Sequence, residues 1–169
     1  MSGMSSRPEQ DDSAHLADAM DEQVVAARLR ALPSRLLGLA AVRSERLVGD
    51  GLAEADARKW HYAVLVTLRE FGPASQAELS RRTGIYRSDL VAVINELAAG
   101  GHVERAPDAV DRRRNVITLT PQGRGHLGRL DSRVDSAQEV LLAPLTGPER
   151  EELTRLLTLL VDPRARPAL

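Results

Sequence analysis

Apolar residues begin to recur at helical spacing only after about the first twenty positions. Leu29, Leu32, Leu36, Leu39 and Leu47 follow one another by three- and four-residue steps or their sums. Pro33, inside that run, has no N–H to give to a helix and is expected to kink or restart it. Residues 49–55 read as a linker. Trp60, Val64, Leu65 and Leu68 then share a helical face, which Gly72-Pro73 ends. Ser75-Gln76-Ala77-Glu78 has the form of a capping box, with Ser75 accepting the backbone N–H of Glu78 while the Glu78 side chain reaches back. The helix it opens is short and closes at Gly84. Residues 86–99 predict another helix, with Leu90, Val93, Ile94 and Leu97 turned inward and Arg87, Ser88, Ala92, Asn95 and Glu96 outward.

The period changes after Gly100-Gly101. Residues 102–106 and 115–119 are β-branched or alternating and flank a loop with Pro107, Asp108 and Asp111, the pattern of a β-hairpin. Thr120-Pro121 is an N-cap followed by proline at the first helical position, after which Leu127, Leu130, Val134, Ala137 and Leu141 keep one face. Thr146-Gly147-Pro148-Glu149 is a second capping box, opening a last helix with Leu153, Leu156, Leu157 and Leu160 on its apolar side. The predicted fold is mainly α with a small β-hairpin, in the order α-α-α-α-β-β-α-α. It divides into a mobile acidic arm (1–20), an N-terminal helical segment (21–57), a central lobe (58–120) and C-terminal helices (121–169). The Leu-rich faces of the terminal segments exceed what so small a lobe can cover, and they are expected to dimerise.

Composition narrows the functions. The 169 residues, 43% apolar, suffice for one compact domain, and with only 2% aromatics the core must be aliphatic. The absence of cysteine excludes disulfides and thiol chemistry. No run approaches the roughly 20 apolar residues of a membrane span, and the acidic start lacks a signal-peptide layout, so a cytoplasmic protein with no membrane partner is expected. The net charge of -1 argues against a uniformly basic surface and directs attention to its distribution. Residues 1–22 carry one arginine against Glu9, Asp11, Asp12, Asp18, Asp21 and Glu22, whereas Arg112, Arg113 and Arg114 stand together further on.

Rival chemistries are weak. Gly123-Arg124-Gly125-His126-Leu127-Gly128 fits the dinucleotide-binding pattern G-x-G-x-x-G, but a Rossmann unit needs a parallel strand after the helix, and here another helix follows. Close packing is the better explanation of these glycines. His15, His61, His102 and His126 lack the i, i+4 pairing of a helical metal site, and no hydrolase or phosphate-loop pattern occurs. No metal, cofactor or catalytic residue is expected, and the chain reads as a binding protein rather than an enzyme.

Two short helices joined by a tight glycine-containing turn and followed by a hairpin are the parts of a winged helix-turn-helix, with residues 86–99 as the recognition helix. Guanidinium groups on the hairpin loop suit phosphates or a narrow minor groove. The run SQAELSRRTGIYRSDLVAVINELAAGGHVERAPDAVDRRRNVITLTPQGR, residues 75–124, resembles the DNA-binding core of the MarR family. In that family the wing commonly reads Asp-x-Arg before a strand closing on Leu-Thr; here Asp111-Arg112-Arg113 leads into Val116-Ile117-Thr118-Leu119-Thr120. With the flanking helices the resemblance extends over roughly residues 29–161.

The resemblance implies a homodimeric transcription regulator, expected to be a repressor, that binds a palindromic operator in double-stranded DNA and responds to a small ligand. Ser75, Gln76, Arg87, Ser88, Asn95, Arg112, Arg113 and Arg114 are then the expected DNA-binding residues. Arg113 takes the groove-entering position, and Asp111 is placed to hold its guanidinium. Effectors of the family often bind near the helix that starts at residues 60–62, which makes Trp60, His61 and Tyr62 the expected site for an aromatic or apolar anion. Two features depart from the family pattern. Tyr86 stands where relatives often have an N-capping acid, and seven arginines between Ser75 and Thr120 meet six acids. The alternative is a winged-helix protein-interaction module that does not meet DNA.

Overall fold

A computed structural model of the chain describes residues 25–107, 115–162 and 164. It separates into two compact units, residues 1–46 and 47–169. In the first, α1 (Ala27–Arg30) is a single turn, and Pro33 restarts the chain as the first residue of α2 (Pro33–Ala53), where a missing N–H costs nothing. Leu29, Leu36, Leu37 and Val42 are exposed there.

The second unit begins inside α2. The expected linker at 49–55 is corrected: the helix continues through Gly49 and Gly51 to Ala53. A glycine costs a helix interior about 1 kcal/mol relative to alanine. Here Leu52, fully buried, offsets that cost, and Gly51 lets α2 approach the backbone of the later helix α6 (Pro121–Leu142), since a Cβ there would lie 3.3 Å from the Arg133 carbonyl oxygen. The turn falls instead at Asp56, whose φ of 54° is left-handed, a conformation that Asp tolerates better than most side chains.

Next comes α3 (Lys59–Phe71), ended by Gly72 at φ 77°. β1 (Ala74–Ser75) was not expected from the sequence, because two residues carry no period. It pairs with β3 (Asn115–Leu119) through Ala74↔Ile117 and Ser75↔Val116. α4 (Gln76–Thr83) follows, then a turn at Gly84 (φ 72°), then α5 (Arg87–Ala99) and β2 (Val103–Pro107). β2 pairs antiparallel with β3 in the register Val103↔Leu119, Arg105↔Ile117, Pro107↔Asn115, giving a three-stranded sheet of order β1-β3-β2. α6 and α7 (Gly147–Val161) close the chain. Apart from the extension of α2, the helices and the two hairpin strands fall where the periods placed them, and the fold is a winged helix.

Leu52, Val64, Leu65, Leu79, Leu90, Ile94, Leu127 and Leu130 form the fully buried centre. The first half of α6 thus belongs to the core of the lobe, and only its second half and α7 resemble a separate C-terminal region. α7 buries none of its side chains: Leu156, Leu157, Leu160 and Val161 are all exposed, Leu160 to 66%.

Of the glycines in G-x-G-x-x-G, only the first is used for packing. A Cβ at Gly123 would stand 2.0 Å from the carbonyl oxygen of His102, whereas Gly125 and Gly128 face open space. Gly123→Ala should therefore destabilise the protein by about 3 kcal/mol or more, as overpacking against immobile backbone does. Gly125→Ala should be neutral or stabilising by up to about 1 kcal/mol. Urea denaturation of both variants checks this, and equal midpoints would contradict it.

Candidate nucleic-acid interface

The two central helices are joined by a turn whose polar groups are consumed locally. Ser75 Oγ caps α4 by accepting the Glu78 N–H at 3.3 Å. The expected reciprocal bond from the Glu78 side chain does not form, because that carboxylate turns to Arg82 (2.6 Å) and Arg81 (3.7 Å), one helical turn ahead. Those arginines hold it below the usual carboxylate range, with Arg82 the larger influence. Beyond Gly84, Ser80 Oγ donates to the Ile85 carbonyl (2.6 Å), and the Ile85 N–H donates to Thr83 Oγ1 (3.3 Å). The angle between α4 and α5 is thereby fixed by side chains as well as by packing.

On α5, Leu90, Val93, Ile94 and Leu97 are buried. Ser88, Val91, Ala92, Asn95 and Ala99 lie on the opposite side and are all exposed, with Arg87 at one margin and Glu96 at the other. Gln76, at the start of α4, donates through Nε2 to the Arg87 carbonyl at 3.4 Å and joins the two helix N-termini. Ser88 Oγ donates to Asp89 Oδ1 (3.3 Å). Asn95 accepts Arg105 Nη2 through Oδ1 at 2.6 Å, a bond from β2 to the outer face of α5. Tyr86 is 80% exposed and its side chain makes no capping bond. The structure thus brings Ser75, Gln76, Arg87, Ser88 and Asn95 onto one side of the lobe. Asp111, Arg112, Arg113 and Arg114 lie outside the described residues.

Glu96, one of the six acids between Ser75 and Thr120, is drawn aside. It pairs with Arg58, and His61 Nε2 lies 2.7 Å from its Oε2. These two groups, Arg58 foremost, keep its carboxyl below the usual range. The Arg58 N–H donates to His61 Nδ1 (3.2 Å), so the neutral ring carries its proton on Nε2 and donates it to Glu96. His61 therefore caps α3 and braces it against α5 at once.

Trp60, His61 and Tyr62 do not converge, since neighbours in a helix point about 100° apart. Trp60 is 38% exposed, with the Lys59 ammonium 5.0 Å from its ring, rather than packed in the core. His61 is buried with both ring nitrogens engaged. The Tyr62 hydroxyl donates to Asp131 on α6 at 3.0 Å, and Arg69 pairs with the same carboxylate. Burial and that bond push the Tyr62 phenol up to about 12. A cavity of about 370 Å³ lies elsewhere, lined by Ser75, Gln76, Ala77, Val91, Arg105, Asn115 and Ile117.

His102 and His126 stack with centroids 4.1 Å apart and planes 4° from parallel. Arg129 donates to His126 Nδ1 at 3.2 Å. Among the described residues no three His, Asp or Glu side chains are grouped to hold a metal, and no helix is long and apolar enough to cross a membrane.

The winged helix-turn-helix and its exposed recognition face agree with what is known of other proteins. The model of the MarR family matches residues 56–114. That segment of the chain belongs to the MarR family. It is similar to the HTH-type transcriptional repressor NicR of Pseudomonas putida, 30% identical over 101 residues, which is 60% of this chain and 64% of NicR. The chain thus spans less than two thirds of that relative's length. Among solved structures it is similar to a probable transcriptional regulator from Pseudomonas aeruginosa (TM-score 0.70, 31% identity, 78% of this chain and 98% of that one). It is similar too to the PcaV transcriptional regulator from Streptomyces coelicolor, solved in complex with its natural ligand (TM-score 0.69, 27% identity, 82% of this chain and 97% of that one).

Sequence reasoning missed the Arg58–Glu96–His61 brace, the Asn95–Arg105 bond and the Tyr62–Asp131–Arg69 cluster. The one local sign was His61 standing at the third helical position after Arg58, where capping boxes carry Glu or Gln.

Burial lowers the pKa of both stacked histidines, helped by the positive charge of Arg129 and His61 at His102 and by that of His102, Arg129 and His61 at His126. A lowered native pKa means that the unfolded chain binds protons first. This contribution to stability is present above the ordinary value of about 6.5 and is lost as pH falls through the native values. Melting temperature should therefore drop between pH 7 and pH 5, and His126→Gln should flatten that part of the profile. An unchanged slope in the variant would remove the pair as its source.

Proposed function

We propose that this chain is a cytoplasmic transcription regulator rather than an enzyme, a repressor that binds a palindromic operator in double-stranded DNA as a homodimer. A small aromatic or apolar anion is its effector. The observation that carries the reading is the exposed face of α5, flanked by β2 and β3 and held at both margins, in a MarR-family lobe. A helix so presented fits the major groove of B-DNA, and a hairpin beside it reaches the neighbouring backbone. The names of the relatives, a transcriptional repressor and transcriptional regulators, point the same way.

Dimerisation is supported by α7. A capped helix that leaves Leu156, Leu157, Leu160 and Val161 exposed forgoes about 1.5–3 kcal/mol for each large side chain it could bury. A second copy of the chain would supply the missing surface, and two lobes would then meet half-sites about one helical turn apart. The effector reading draws on PcaV, solved with a natural ligand, and on the cavity beside α5, which Arg105 lines together with Ala77, Val91 and Ile117. Trp60 remains a fluorescence reporter for effector binding, while His61 and Tyr62 serve as ties between helices.

Solution mass of the full chain should be that of a dimer at micromolar concentration, and Leu160→Asp should shift it toward monomer. A monomeric wild type would remove the palindrome from the proposal.

Ser75, Gln76, Arg87, Ser88, Asn95, Arg112, Arg113 and Arg114 are proposed at DNA, with Asp111 positioning Arg113. Arg113→Ala should weaken operator and unrelated duplex alike, because phosphates and minor-groove potential are offered by every sequence. The plot of log affinity against log salt should flatten by about one unit per wing. Ser88→Ala should instead lower the ratio of operator to nonspecific affinity. Salt titrations on two duplexes decide this. An Arg113→Ala protein with unchanged affinity and slope on both would favour the protein-interaction alternative.

A further inference from the structure

The groove-facing side of α5 lacks the groups that read guanine and adenine. Guanine is recognised by the two donors of an arginine or lysine at O6 and N7, and adenine by an Asn or Gln that both donates and accepts. The strip formed by Ser88, Val91, Ala92, Asn95 and Ala99 contains no cation, and Arg87 stands at its margin. Its one amide is committed, since Asn95 Oδ1 already holds the Arg105 guanidinium at 2.6 Å. What the strip does offer is aliphatic surface. Val91 is 43% exposed although it is β-branched and apolar, and the Ala92 and Ala99 methyl groups are exposed beside the Ser88 hydroxyl. Thymine is the base that presents a methyl group in the major groove.

We propose that α5 reads thymine through its 5-methyl group, with Val91 and Ala92 as the apolar partners, and that the operator half-site carries thymine where these side chains face it. This rests on the operator reading above and deepens it by assigning the base chemistry. Ser88 can donate or accept and so tolerates either neighbouring base edge. Arg105 orients Asn95 and occupies one of the two acceptor sites of its Oδ1, so that the amide faces DNA chiefly as a donor. Removing one methyl group from water corresponds to about fourfold in affinity, hence about fifteenfold when both half-sites of a dimer carry it.

The full-length protein is used to select duplexes from a random 30-bp library, and each thymine of the selected duplex is replaced in turn by deoxyuridine, which deletes the methyl and keeps every hydrogen-bonding group. At least one symmetric pair of replacements should weaken binding about fifteenfold. For the variants Val91→Ala and Ala92→Ser, shown to be folded by circular dichroism, the penalty at the position each residue reads should fall below about fourfold. A selected duplex whose affinity stays within twofold under every deoxyuridine replacement would overturn the inference and leave the operator reading standing. A tenfold loss on replacing a half-site guanine by 7-deazaguanine, with deoxyuridine neutral, would overturn it in favour of guanine readout. A library from which nothing is enriched would overturn the operator reading, and this inference with it.

Discussion

His102 joins the three parts of the lobe that must hold still for a recognition helix to be presented. Its N–H donates to the Leu97 carbonyl at the end of α5 (2.9 Å), and its carbonyl accepts the Thr120 N–H (3.1 Å) at the start of α6. Its ring lies flat on His126 of the same helix. Thr120 completes the joint: its hydroxyl donates to the Gly101 carbonyl (2.7 Å) and accepts the Gly123 N–H (2.9 Å). The first turn of α6 is thus seated on the base of the hairpin, so close that Gly123 has no room for a Cβ. Gly101, at φ 71°, gives the reversal that brings His102 to this position. Without this joint, the sheet and the core face of α5 would share only side-chain packing.

With α5 held at its C-terminal end by His102, its orientation is completed by the bonds of two of its residues. Glu96 is tied to Arg58 and His61 on the α3 side, and Asn95 to Arg105 on the sheet side. The electrostatic consequence is local. The near balance of arginines and acids between Ser75 and Thr120 overstates the repulsion that DNA would meet, because Glu96 is paired with Arg58, an arginine from outside that window. The outer face of α5 is left small, apolar and weakly polar, a surface that relies on shape and methyl contacts more than on charge.

The parts legible in the sequence were those with a period. The inward residues of α5, the caps at Ser75, Thr120 and Thr146, the glycine turn and the register-bearing alternation of the strands all come from local rules. β1 was hidden because two residues have no period and its partner lies about forty positions away. The glycines of α2 misled because their acceptance depends on a helix packed against Gly51, which no local rule contains. Half of the Ser75 capping box failed because Arg81 and Arg82 compete for the Glu78 carboxylate at favourable i, i+3 and i, i+4 distances. The partners of His61 and Tyr62 were hidden for the same reason: Glu96 and Asp131 are 35 and 69 residues further along the chain. Polar side chains announce that they need a partner and say nothing about who it is.

The placement of the cavity bears on how an effector would act under the proposed function. Val91 and Arg105 line it, and both also belong to the outer face of the lobe, Val91 directly and Arg105 through Asn95. An anion drawn to the Arg105 guanidinium would compete with Asn95 for it, releasing that amide and altering the face offered to a base. A ligand shifts an equilibrium only by the difference in its affinity for the two states. Here the difference has a local source, because the free guanidinium binds an anion more strongly than one already committed to Asn95. Coupling of this kind needs no change in the spacing between two lobes of a dimer. It would arise within a single copy of the chain, across the 2.6 Å bond that joins β2 to α5.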